Sequence, residues 1–280
     1  MKTYNTAYGI FYDRPFFTPN RLEEIAAQAL DKAGCTDSDP GEIPIEDVLE
    51  ECLGLGVDYS PLPEDVMGCA HFEPEGLVKV EIHESLSLCG HDPTLDRRRR
   101  STIAHELGHG LVHTPLYRQR FEFERQQADF DPAQPQRAHH ACRTTDIREV
   151  GQQQNNGNSF CWLEWQANFL MGALLVPRQA LQRHLEHWTG PQDGVRTLRL
   201  PFPLRDEAAV STSAVFHVSR QLAAIRIEGL YPDITPNQPD LFCGGIRMNT
   251  FPTPTDRPHD ADRPNNPKAA GIRKTKCLQE

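Results

Sequence analysis

Apolar positions along the first third of the chain change their period several times, and each change marks an element. Leu22, Ile25, Ala26 and Leu30 recur at helical spacing and predict a helix over 21–33 with one apolar face. A turn-rich stretch, Asp37–Glu42, separates it from a second helix over 44–53, and Gly54–Tyr59 reads as a turn into a strand. From Leu77 to His83 the period drops to two. Val78, Val80 and Ile82 fall on one side, and Lys79, Glu81 and His83 on the other, the pattern of a half-buried strand. Such a strand can border a cleft and pair its N–H and C=O groups with an extended peptide; an interior strand that touches no ligand is the plain alternative.

The second half is organised differently. Residues 114–160 are polar and rich in Gln, Asn and Asp, with Gln152–Gly157 expected to be flexible. Phe160–Val176 is strongly apolar and predicts a helix that Pro177 stops. Ala208–Leu230 predicts two or three short helices with a turn near His217. Thr250–Glu280 is proline-rich and charged, as disordered tails are.

Composition narrows the class. A formal net charge of −10 and an isoelectric point near 5.6 disfavour direct binding to nucleic acid or to an acidic membrane surface. No apolar run approaches a membrane span, and Met1–Phe17 lacks the basic-then-apolar pattern of a signal peptide. The cysteines at 35, 52, 69, 89, 142, 161, 243 and 277 form no CxxC pair and read as reduced thiols of a cytoplasmic protein.

Residues 105–109 read His-Glu-Leu-Gly-His. Histidines four apart on a helix share a face, so both imidazoles can bind one zinc ion while Glu106 points at the water beside it. Zinc acidifies that water and polarises a carbonyl, and the glutamate carries the proton. Ser101–Ala104 and Gly110–Val112 supply a buried apolar back to the helix. The alternative is a coincidental pair of helical histidines. Arg97–Arg100, just upstream, suits either an acidic substrate segment or simply a solvated helix start.

Such a site needs a third protein ligand and an open position. His113 lies two turns beyond His105, too far along the axis to join the same ion. The metzincin arrangement needs a histidine where Pro115 stands, which excludes that class. Glu164 is a carboxylate inside an apolar helix; it is either a ligand or an exposed glutamate on an amphipathic face. Asn168, one turn later on the same face, can hydrogen-bond the outer nitrogen of a ligand histidine. The run His139-His140-Ala141-Cys142 raises a second metal site, against the plainer reading of solvent-exposed polar residues. His113 suits an oxyanion donor, a support for the ligands, or a satisfied structural histidine, and Tyr117 is within reach only in sequence.

The run from Arg98 to His113 resembles the core of the ImmA/IrrE metallo-endopeptidases, and Glu164–Pro177 resembles that family's second active-site helix. Weaker similarity surrounds them: the helix over 43–53, the turn and strand to Tyr59, Gly68, the strand near Val80, and a helix-turn-helix-like stretch from Val215 to Ile227. The resemblance spans roughly residues 43–232. It implies an α+β fold: a small zincin-like, gluzincin-type metallopeptidase domain, with a short mixed sheet and active-site helices, followed by the helix-turn-helix-like helices. The implied organisation is an N-terminal helical extension (1–42), the peptidase domain (43–190) with a polar insertion (114–160), the helical segment (191–232) and a tail (233–280). His105, His109 and Glu164 would hold one zinc, with manganese an alternative, and Glu106 would act as base. Relatives cleave a cognate helix-turn-helix repressor, which makes a protein of that kind the expected substrate and partner. The gap between His109 and Glu164 is longer than the family pattern, and residues 1–38 and those after 232 lie outside it.

Two other functions compete. One is a DNA-binding regulator reading through Ser211–Leu230, with Arg220 and Arg226 on phosphates and a structural zinc. The other is a module that sequesters a repressor without cutting it, for which Glu106 would have no use.

Overall fold

The computed structural model describes residues 3–5, 13–15, 17–35, 39–88, 92–127, 130–131, 133–143, 162–191, 198–200 and 202–232. A short antiparallel pair, β1 (Thr3–Asn5) and β2 (Asp13–Pro15), precedes helix α1 (Pro19–Lys32). The Thr18 hydroxyl accepts the Arg21 N–H and Pro19 fits the first turn, which fixes where α1 begins. Helix α2 (Ile45–Leu53) ends at Gly54, whose φ of 70° lies in the left-handed region that glycine enters without strain. Strands β3 (Val57–Ser60), β4 (Val66–Glu73) and β5 (Gly76–His83) follow, then helix α3 (Pro93–Arg125) and strand β6 (Ala138–Arg143). The chain continues through α4 (Trp162–Leu175), α5 (Arg178–Leu185), the two-residue strands β7 (Gly190–Pro191) and β8 (Leu198–Arg199), α6 (Arg205–Val215) and α7 (Arg220–Leu230). Among the described residues this is a mixed α+β fold of seven α-helices around a four-stranded mixed sheet. No helix among them is long and apolar enough to cross a membrane.

The sheet order is β3-β5-β4-β6, with β3 parallel to β5 and the other pairs antiparallel. The expected strand over 77–83 is present as β5, but both its edges are taken, by β3 and β4, so it has none to offer a peptide. The strand over the histidine helix is β4. Val66 to Ala70 are buried without alternation, which is why no period-two pattern marked it.

Helix α3 starts where the Asp92 carboxylate accepts the N–H groups of Thr94 and Leu95. It runs 33 residues, straight through Pro115, so residues 114–125 of the expected insertion are helical. Thr102–Gly110 is buried all round, because the sheet covers one side and α4 the other. Gly108 permits the second contact: a β carbon there would stand 3.1 Å from the Ala167 carbonyl oxygen. Arg99 pairs with Asp96 and Glu46, and buried Arg100 with Glu42. These arginines pin α3 to the chain before and within α2 rather than waiting for an acidic substrate.

One core joins α1, α2, α3, α4, α5, α6 and α7, so the expected N-terminal extension contributes Leu22, Ala26, Ala29 and Leu30 to the same interior as α3 and α4. A second cluster, with Phe72, Leu116, Tyr117, Phe121 and Ala138, seats the far half of α3 under β4 and β6. Helices α6 and α7 pack together around a turn where His217 has φ 51°, and the Ser219 hydroxyl caps α7. Arg226, which the DNA-binding alternative puts on phosphates, is buried. It donates to the Val176 carbonyl at the end of α4 and pairs with Glu23 of α1 at 2.7 Å. The expectations for 152–157 and for 233–280 lie outside the described residues.

Candidate metal centre

His105 and His109 stand one turn apart on α3, and their Nε2 atoms approach to 3.0 Å. Glu164, in the first turn of α4, faces them, with Oε2 3.2 Å from His105 Nε2 and Oε1 3.7 Å from His109 Nε2. All three side chains are buried. The structure thus brings together the three residues that the resemblance pairs as ligands.

Hydrogen bonds on the far side of each ring set its tautomer. His105 Nδ1 donates to Asn168 Oδ1 at 3.1 Å, so its Nε2 carries a lone pair. Gln166 Oε1 accepts from His113 Nε2 at 3.0 Å, and His113 Nδ1 must then accept from His109 Nδ1 at 2.9 Å. His109 Nε2 is left with a lone pair as well. His113 is a support one step behind His109. Burial pushes it down to about 3, against the hydrogen bond to Gln166, so it stays neutral and can accept. Burial, and then the neighbouring His140, His105 and His113, also hold His109 well below the ordinary histidine value.

Two imidazole lone pairs and a carboxylate therefore converge with no proton between the two rings. That donor set repels itself unless a cation sits within it. Four ligands at zinc–nitrogen distances on a tetrahedron lie about 3.3 Å apart, and the observed separations bracket that value. His105, His109 and Glu164 form a buried group able to hold a metal ion. Burial raises the Glu164 carboxyl, but the closely placed imidazoles of His105 and His140 outweigh it and leave the carboxyl well below its usual range.

Glu106 is fully buried, and among the described residues neither carboxylate oxygen has a hydrogen-bond partner. Burial, and then the charge of Glu164, push its carboxyl well above the ordinary range. A cation beside both carboxylates would reverse the second effect.

The sequence reading missed the role of β6. The His139–Cys142 run does not build a separate centre among the described residues; it joins the first one. His140 Nε2 contacts Glu164 Oε1, its ring lies 4.2 Å from that of His109, and its Nδ1 accepts the Tyr117 hydroxyl at 3.2 Å. Cys142 is buried and forms a second possible metal-holding group with His105 and Glu106. Period-two spacing of His140 and Cys142 was the available signal, since it puts both on one face of a strand. No known family model matches the chain, and no curated protein matches it.

Proposed function

We propose that the chain is a zinc-dependent endopeptidase that hydrolyses a peptide bond in a specific regulatory protein, of the kind that the ImmA/IrrE resemblance implies: a helix-turn-helix repressor. The observation that carries this reading is Glu106, a buried carboxylate with no hydrogen-bond partner among the described residues, one residue from a histidine whose lone pair joins a cation-demanding cluster. A structural metal site would have no use for it.

His105, His109 and Glu164 would hold the ion, and the two-nitrogen, one-carboxylate set suits zinc, with manganese an alternative. A bound zinc supplies Lewis acidity, polarising the scissile carbonyl and acidifying the attacking water. Glu106 takes the proton from that water as its oxygen adds to the carbonyl carbon, and hands it to the amine as the carbon–nitrogen bond breaks. Asn168, and Gln166 acting through His113, keep both ligand histidines in the metal-binding tautomer. The DNA-reading alternative loses Arg226, which is committed to Glu23 and Val176. This reading places the protein in the cytoplasm, where its thiols stay reduced.

The test pairs metal content with cleavage. Elemental mass spectrometry should find close to one zinc per chain in the wild type and in Glu106→Gln. Only the wild type should shorten a candidate repressor as read by intact mass. Full cleavage by Glu106→Gln would overturn the mechanism.

A further inference from the structure

Strand β4 pairs with β5 along one edge and with β6 along the other. On the second edge Gly68 lies opposite Cys142, Ala70 opposite His140, and Phe72 opposite Ala138. Directly opposed residues share a face, so Ala138, His140 and Cys142 of β6 point down toward α3, and His139 points away. His140 meets Glu164 and His109, and the Cys142 thiol lies within 4.8 Å of ligand atoms of His105 and Glu106. Any strand on this edge of β4 crosses the metal ligands and the base. An extended peptide would bind there by backbone pairing, which needs no particular sequence.

That place is filled. With β6 present, His105, Glu106 and His109 are 0% exposed and Glu164 7%. A peptide backbone cannot reach them. Yet β6 is lightly anchored: its buried apolar side chains are the small Ala138 and Cys142, His139 is exposed, and the pairing register slips between Val66 and Gly68. By contrast β5 is paired on both sides and buries Val80 and Ile82 completely.

We propose that β6 is the chain's own occupant of the peptide-binding edge of β4, an internal plug that must leave before a substrate reaches Glu106. The proposal rests on the peptidase reading above and adds its regulation: β6, which lies in sequence between the two ligand helices, keeps the enzyme closed.

The test uses the cobalt-loaded full chain, whose visible bands report ligands at the metal, titrated with acetohydroxamate as a small metal-binding probe. Ala141→Pro removes an N–H from β6 and bars it from regular pairing; His140→Ala leaves the strand but removes its contact with Glu164. If the closed form excludes the probe, apparent affinity scales with the open fraction, so Ala141→Pro should bind about tenfold tighter or more at unchanged cobalt content. Backbone amides of residues 68–72 should exchange faster in that variant, and His140→Ala should shift in the same direction. Equal probe affinity in all three cobalt-loaded proteins would overturn the plug while leaving the metal centre standing. Failure of every form to bind cobalt would overturn the metal centre and the plug together. If Ala141→Pro does not fold, His140→Ala decides: tighter probe binding supports the plug, and wild-type affinity overturns it.

Discussion

Gly68 of β4 and Glu106 of α3 are so close that no other side chain fits between strand and helix. A β carbon at position 68 would stand 2.6 Å from Glu106 Oε1 and 2.6 Å from Thr102 Cγ2. Glycine within a strand forfeits packing and conformational restriction. Here the loss lets the sheet lie directly on the turn that carries Glu106.

Gly68→Ala therefore tests whether Glu106 works from its present position. The added methyl must push either the carboxylate or the strand aside, a form of overpacking that costs about 1–3 kcal/mol in a dense interior. Hydrolysis should fall by about a hundredfold, as displacement of a reacting group by an ångström does, while zinc content stays at the wild-type level. Urea unfolding and peptide cleavage on the same preparation check both parts. Wild-type turnover would show that Glu106 tolerates displacement and is not the base.

Asn168 holds the outer nitrogen of His105. Asn168→Ala frees the ring to rotate and removes the bond that fixes its tautomer. Zinc affinity should weaken by about 10- to 100-fold, the usual cost of losing such a partner. Competition with a chromophoric chelator measures it. Unchanged affinity would mean that packing alone orients His105.

The ion pair between Arg226 and Glu23 ties α7 to α1, and the same guanidinium satisfies the Val176 carbonyl where α4 ends. Both side chains are nearly buried. Arg226→Met leaves Glu23 without its principal partner and should destabilise the fold by about 3–5 kcal/mol, whereas the double variant with Glu23→Gln should recover part of that loss. Chemical denaturation of the four proteins in the cycle gives the coupling. An additive cycle would show that the pair does not act as a unit.

These sites were legible to different degrees, for physical reasons. His105, Glu106 and His109 announce themselves because helical spacing alone puts two rings on one face. Glu164 needed a reason from elsewhere, since nothing local distinguishes a ligand from a surface glutamate until α4 is seen packed through Gly108. The helices over 19–32, 45–53 and 162–175 match the expected spans closely, because each has an apolar face or core and a cap or a proline at its edge. Strand β4 was hidden because burial on both faces erases alternation. The run through Pro115 was hidden because tertiary contacts at Leu116, Tyr117 and Phe121 outweigh the local cost of proline. Position 140 depended on a strand pairing that spans the chain from 70 to 140, which no local pattern encodes.

The pH dependence of stability can be assigned in part to His184. Its ring sits on α5, edge-on to Trp188 at 5.6 Å and to Phe216 at 5.9 Å, with the Ser211 hydroxyl 3.2 Å from Nε2. Burial, and then the neighbouring His187, lower its pKa. The neutral ring is thus preferred in the folded state, where Nε2 can accept from Ser211. Above the unfolded histidine value of about 6.5, the ring is neutral in both states and this contribution is intact. As pH falls below that value the unfolded chain takes up the proton first, so stability is lost progressively down to the lower folded value. His113, also held neutral, adds a loss of the same sign that the comparison must subtract. His184→Gln keeps an acceptor for Ser211 and removes the titration. Between about pH 7 and about pH 5 its urea midpoint should fall less than that of the wild type. Parallel decline in the two proteins would mean that His184 charges as easily folded as unfolded, and that its packing against Trp188 and Phe216 does not oppose the proton.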